Sequence, residues 1–160
     1  HDILGDLLGA PPKGWRSPSG QKTYTTLGVL SSLGYLYDAS DKDFDAPYVL
    51  DLGDGRRMAE VPNNAFSLDD FPWVVHSRTP TSEMRDAWIA EFDHLYAERG
   101  YFMLGIHSRA PWGSGIPSRA IALEELIRHM KRHQAVRFMT VGEIAEWVMA
   151  NPGEVEEVKI

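Results

Sequence analysis

The chain has no cysteine. Disulfides, cysteine-ligated zinc and a cysteine nucleophile are therefore excluded. It also lacks a long apolar run: no stretch approaches the roughly 18 consecutive apolar residues of a membrane span. It does not open on a basic region followed by an apolar one, so no secretory signal is read. Positive charge is scarce. Sixteen Lys and Arg against 23 Asp and Glu leave a formal net charge of −7, which argues against nucleic acid or an anionic membrane as a partner. Nucleotide signatures are missing: there is no Gly-x-Gly-x-x-Gly after a strand, and no Gly-Lys-Ser or Gly-Lys-Thr. The Gly-x-Ser-x-Gly elbow of serine hydrolases is absent too. Among metal motifs there is no His-x-His and no His-Glu-x-x-His. His129 and His133 stand four apart on a predicted helix, but Arg128, Lys131 and Arg132 share that face and repel a cation, so no metal site of the chain's own is expected.

What is present is an ordinary soluble composition: 160 residues, 18.0 kDa, 43% apolar and 24% charged. That size suits one compact domain or half of a larger one. Fourteen Gly and 10 Pro imply many turns between short elements.

Ile3, Leu4, Leu7 and Leu8 make one helical stripe over residues 2–8, stopped by Gly9 and Pro11-Pro12. Seven residues cannot hold a helix alone, so this reads as the tail of a longer one, and a chain opening on His1 rather than Met reads as a fragment or a processed product. Residues 13–17 read as a strand, 23–33 as a helix and 35–40 as the next strand. Gly53-Asp54-Gly55 between apolar runs signals a hairpin within 49–61. Residues 62–80 read as a loop. The spacing predicts a helix over 82–99, and the apolar run 101–106 suggests a buried parallel strand. A Gly- and Pro-rich loop follows, with Gly113-Ser114-Gly115 as a flexible stretch. Next come a helix over 118–133, a short strand over 136–139, and a helix opened by the capping box Thr140-x-x-Glu143. Residues 153–160 are expected to form a frayed polar tail after a domain spanning 1–152.

Strands alternating with helices indicate an α/β fold with a parallel sheet. Four or so parallel strands are too few to close a barrel. They fit an open sheet, or the C-terminal half of a (β/α) barrel.

Two side chains stand where such folds build sites, at the ends of strands. Arg16, in Gly14-Trp15-Arg16-Ser17-Pro18, can grip a carboxylate with two hydrogen bonds. His107 closes the run Phe102-Met103-Leu104-Gly105-Ile106. Histidine is the usual acid or base near neutral pH, and an adjacent carboxylate favours its protonated form. The other histidines, His1, His76, His94, His129 and His133, lie on helices, in a loop or at the terminus. Acids gather at Asp38, Asp41, Asp43 and Asp45, and again at Asp69-Asp70. Each group could set the charge of His107 or bind a sugar or amide, or could serve as plain turn chemistry.

These segments occur in order: Gly14 to Gly20; Tyr37-Asp38-Ala39-Ser40 with Asp45-Ala46-Pro47-Tyr48; Leu68-Asp69-Asp70-Phe71-Pro72; Leu104-Gly105-Ile106-His107; and Phe138-Met139-Thr140 through Glu143-Ile144-Ala145. Together they resemble the C-terminal half of the polysaccharide deacetylase (NodB-homology) superfamily, nearest its intracellular branch of peptidoglycan-deacetylase-like and allantoinase-like proteins. The resemblance implies a distorted (β/α) barrel, incomplete without an N-terminal half, and a cytoplasmic hydrolase of C–N bonds other than peptide bonds. It implies a divalent metal, zinc by family habit, held by an aspartate and two histidines in the half not contained here, together with the catalytic base. By the same resemblance Arg16 matches the arginine that orients the base. His107 matches the histidine that protonates the leaving nitrogen, and either Asp45 or Asp70 matches the acid that tunes it. Pro18, Tyr48, Pro72, Trp73 and Trp112 are expected to line the substrate groove.

The implied partners are the N-terminal half of the fold, as a separate chain or adjoining segment, and an N-acetylated sugar or a small amide or ureide. By itself the chain is expected to be inactive. Two other readings stand beside this one: an allantoinase-like opening of a cyclic ureide, and a non-catalytic half-barrel that binds carbohydrate or protein. Uncovered strand edges invite association, so a homo-oligomer is expected.

Overall fold

The computed structural model describes residues 1–63 and 68–160. Residues 64–67, which belong to the expected 62–80 loop, lie outside the described residues. The chain folds as two units. The first comprises His1–Asn63 with Met139–Ile160; the second is Asn64–Phe138, described from Leu68 onward.

The first unit is built on one five-stranded sheet: β1 (Gly14–Trp15), β2 (Tyr37–Asp38), β3 (Tyr48–Asp51), β4 (Arg57–Glu60) and β5 (Glu157–Lys159), in the order β1-β2-β4-β3-β5. Strands β1, β2 and β4 run parallel, β3 returns antiparallel to β4, and β5 runs parallel to β3. The β3–β4 hairpin turns through Gly53, Asp54 and Gly55, all at positive φ (78°, 54° and 75°). That backbone region explains the two glycines, and the hairpin stands as the sequence indicated.

Helix α1 (Asp2–Leu8) carries no buried residue, and Ile3 and Leu7 are 76% and 77% exposed. Helix α2 (Tyr24–Ser32) is opened by Thr23, whose side chain accepts from Thr26 N, and it drops Leu27 and Leu30 onto the sheet. There Leu27 meets Tyr48 and Leu50, while Leu30 meets Tyr35 and Met58. The expected polar tail is instead sheet. Val49 N donates to Glu156 O at 2.8 Å and Ile160 N to Asp51 O at 3.1 Å. Val158 turns inward onto the Leu27–Tyr48–Leu50 cluster while Glu157 and Lys159 face out. A period of two hides in a run of charges when only one residue in three points inward.

The second unit pairs helices α3 (Thr81–Ala97) and α4 (Pro117–Met130). Met84, Trp88 and Phe92 of α3 pack on Leu126 and Met130 of α4, with Leu68 beneath. A short π-helical turn, Pro72–His76, interrupts the expected loop. The expected strand at 101–106 is reduced to one parallel bridge. Gly105 N donates to Leu68 O at 2.9 Å and Asp70 N to Gly105 O at 3.1 Å. The apolar run reports burial, with Phe102 and Leu104 against the helix core, and burial does not by itself dictate a ladder. The expected strand at 136–139 is also not formed; Val136 packs on the core while Phe138 and Met139 are exposed. Back in the first unit, helix α5 (Val141–Ala150) opens on the anticipated box. Thr140 Oγ1 accepts from Glu143 N at 3.2 Å, and Glu143 Oε2 accepts from Thr140 N at 2.6 Å. These bonds hold the Glu143 carboxyl below its ordinary range.

Candidate active site

The Asp69–Gly105 bridge sets two polar residues side by side at its end, Asp70 and His107. Asp70 Oδ1 lies 2.7 Å from His107 Nδ1. A carboxylate only accepts, so Nδ1 carries the proton and donates, leaving Nε2 as the outward nitrogen. The Asp70 carboxylate is fully buried, while the His107 side chain is about half exposed (48%). Asp70 accepts three more N–H contacts: His107 N at 3.1 Å to each oxygen, and Ser114 N at 2.7 Å to Oδ2. One buried anion thus holds both ends of the 107–114 loop, and Ser114 N donates to His107 O at 2.9 Å as well. Arg119 ties the loop to α4, donating to Gly113 O at 2.6 Å and to Ala110 O at 3.2 Å.

Gly113 is there because nothing larger fits. A Cβ at that position would meet the Cβ and carbonyl of His107 and come within 2.8 Å of Asp70 Oδ2. Phe71 places its ring 5.6 Å from the imidazole. The buried Ser114 hydroxyl has no hydrogen-bond partner among the described residues. Arrangements of this kind orient an imidazole, fix its tautomer and present one nitrogen to a ligand, as a proton donor does.

In the first unit, Asp38 and Glu60, the last residues of the paired strands β2 and β4, converge with Asp41 on the Lys22 ammonium. Lys22 Nζ contacts Asp38, Asp41 Oδ2 (2.5 Å) and Glu60 Oε2 (2.9 Å). Ser40 Oγ donates to Asp38 Oδ1 at 2.5 Å and accepts from Ser17 N at 2.8 Å. Glu60 Oε1 accepts from the N–H groups of Ser40 and Asp41. Burial works against the Lys22 charge, but the hydrogen bonds to Asp38, Asp41 and Glu60 outweigh it and raise its pKa. Burial and the Asp38 charge push the Glu60 carboxyl up to about 8, against the opposing pull of Lys22 and the Asp41 N–H. Arg16, one residue beyond β1, is exposed beside this network.

The expected site residues therefore divide. Asp70 partners His107, with Asp69 Oδ1 a more distant 3.8 Å away. Asp45 is exposed in the first unit. Pro72 and Trp73 are half-buried in the π-helical turn that follows Asp70 and Phe71, with Trp73 packed on the helix core. Trp112 is half exposed on the His107 loop. Pro18 is exposed at the start of a 3-10 turn. Tyr48 is a correction. It is 2% exposed, packed on Leu27 and Leu50, with its hydroxyl 3.0 Å from Asp43, so it builds the core instead of a groove wall. Burial, then the charges of Glu60, Asp43 and Asp41, raise its pKa.

Sequence reading passed over Lys22, Glu60 and Arg119. Glu60 did carry a signal, a charge at the end of the apolar run Met58-Ala59-Glu60-Val61. A charged residue inside an otherwise core-facing strand is buried only when paired.

No protein-family model matches the chain. It is 28% identical to a peptidoglycan deacetylase of Helicobacter pylori across 94% of this chain and 62% of the relative. A solved Mycobacterium smegmatis protein described as a polysaccharide deacetylase superposes with a TM-score of 0.79 at 28% identity, over 99% of this chain and 56% of that one. The PuuE allantoinase superposes at 0.79 with 26% identity, and a Pseudomonas aeruginosa PAO1 protein described as a polysaccharide deacetylase at 0.78 with 26%. Each covers 94% of this chain and 51% of the other. The chain thus spans little more than half the length of these proteins. Its α/β fold, its five-stranded sheet and these likenesses match the C-terminal half of polysaccharide deacetylase (NodB-homology) proteins, to which the chain is similar over nearly its whole length.

Proposed function

We propose that the protein containing this chain is a hydrolase of C–N bonds other than peptide bonds, an N-deacetylase acting on an N-acetylated sugar, and that this chain supplies its proton donor. The observation that carries the reading is the 2.7 Å bond between buried Asp70 and half-exposed His107, in a chain similar to deacetylases over nearly its whole length. Water adds to the acyl carbon, the C–N bond breaks, and the departing nitrogen takes a proton from His107 Nε2. Asp70 keeps the imidazole in the required tautomer and neutralises the charge it carries before transfer. Arg16, exposed past the end of β1, orients the acid that serves as base. Trp112 and Pro72 offer apolar surface to a sugar ring.

The resemblance also implies a divalent metal, zinc by family habit, but the acid groups at these two sites do not fit it. The Lys22 ammonium already sits against Asp38, Asp41 and Glu60. The Asp70 oxygens are committed to the His107 ring and to the N–H groups of His107 and Ser114. The ion and the activation of water are therefore assigned to the partner half of the fold.

The test is turnover of N-acetylated oligosaccharide by the complete protein. His107→Ala is expected to lower kcat by roughly 10²–10⁴. A loss of only two- or threefold would sink the assignment. Similarity to the allantoinase favours a second substrate class, a cyclic ureide. Parallel assays with allantoin and with the acetylated sugar separate the two.

A further inference from the structure

The α3–α4 pair carries a second constellation that the reading above does not use. Asp93 of α3, His129 of α4 and His133, three residues past the end of α4, each offer one ligand atom, all within 4.8 Å of one another. His129 Nε2 lies 2.6 Å from Asp93 Oδ1 and His133 Nε2 lies 3.8 Å from the same oxygen.

The hydrogen bonds say which nitrogens are available. His133 Nδ1, in the turn after α4, donates to His129 O at 3.0 Å, a carbonyl in the last turn of that helix. Its Nε2 is then a lone pair facing a carboxylate oxygen. Two acceptors opposed in this way are complemented by a cation between them. Ring orientation is set by packing: Tyr96 lies 4.7 Å and Phe92 5.1 Å from the His133 ring, and Phe92 5.7 Å from His129. The histidine side chains are 19% and 25% exposed, buried enough to be held and open enough to admit an ion.

Of the basic residues noted in the sequence, one is paired with an acid and one sits at the site. Arg128 is bound to Glu124 at 2.6 Å. Arg132 is the cation at the site itself, its Nη2 3.0 Å from His129 Nδ1.

We propose that Asp93, His129 and His133 bind a borderline-soft divalent ion of the zinc class through two imidazole nitrogens and one carboxylate oxygen, with a fourth position open to solvent. Ligand atoms around a tetrahedral zinc, with bonds of roughly 2.0–2.1 Å, stand about 3.3 Å apart. The 2.6 and 3.8 Å separations from Asp93 Oδ1 bracket that value, and the remaining pair lies within 4.8 Å. On binding, the His129 proton moves from Nε2 to Nδ1, so Arg132 must leave Nδ1. Arg132 therefore opposes the ion. A bound ion ties α3 to α4 and stabilises the second unit by mass action.

The test is titration of the complete protein with zinc chloride, by calorimetry and thermal melting, against four variants. Wild type is expected to bind one more zinc than His129→Ala or His133→Ala. Asp93→Asn removes the charge of a direct ligand and should weaken that site by at least about tenfold, the least that loss of even an outer-shell partner costs. Arg132→Ala should tighten it. Equal zinc count and affinity in wild type, His129→Ala and His133→Ala overturns the proposal. Should loss of a packed imidazole unfold the helix pair, His133→Gln and Arg132→Ala decide alone, and no change in either overturns it. Magnesium, which prefers oxygen ligands, should not compete; competition at equal concentration also overturns it.

Discussion

Buried Asp70 holds His107 by ring and backbone at once, 2.7 Å to Nδ1 and 3.1 Å to the amide N–H. A side chain so gripped has one free functional atom, Nε2, and a fixed direction. Asp70→Asn keeps the shape but replaces an anion by an amide that must both accept and donate. We expect kcat to fall roughly 10²–10⁴, as for loss of an acid–base partner. Thermal stability should fall too, since hydrogen bonds to a charged group contribute about 1.5–3 kcal/mol. Unchanged kcat with lowered stability would make Asp70 a purely structural brace.

Arg16 offers the opposite profile. Its side chain is exposed just past β1. Arg16→Ala is expected to reduce kcat/KM in the complete protein by at least about tenfold while leaving the melting temperature unchanged. A variant that fails to fold would mean that the guanidinium supports the fold.

Gly113→Ala tests the loop. The added methyl would press on His107 and approach Asp70 Oδ2 at 2.8 Å. Overpacking of this kind costs about 1–3 kcal/mol, and the imidazole would be displaced. Thermal melting and kcat should drop together, with KM less affected. Normal turnover would show that the loop can give way without moving the histidine.

The Lys22 cluster predicts a pH dependence. Burial and the Asp38 charge raise Glu60 from 4.5 to about 8. The folded state thus favours the protonated carboxyl more than the unfolded state does. The associated stability is fully present below about pH 4.5 and is lost progressively as pH rises through about 8. Glu60→Gln removes this component. Urea midpoints of wild type should fall relative to the variant between pH 5 and pH 8. Parallel curves would refute the assignment of the shift to Glu60.

Much of the scaffold was legible because its causes are local. The Thr140–Glu143 box, the Gly53-Asp54-Gly55 turn and the apolar stripes of α2 to α5 each involve residues a few positions apart, and each element formed within three residues of its expected bounds. Arg16 and His107 could be singled out because each closes an apolar segment with a charge or an imidazole.

Other features depend on groups far apart in sequence, which no window joins. Asp70 and Asp45 are equivalent acids on paper, and only the parallel bridge at Gly105 gives His107 to Asp70. Lys22 looks like an ordinary surface charge until the ends of β2 and β4 meet around it. Tyr48 looks like a groove residue until α2 covers it, and Asp93 has no visible tie to His129 and His133 until α3 lies along α4. By itself the sequence determined the helices, the hairpin and an α/β layout, since periodicity and turn chemistry are properties of neighbours. The tertiary structure alone decided which carboxylate lies against which imidazole, because hydrogen bonds are made across space between chain segments brought together by burial of their apolar faces.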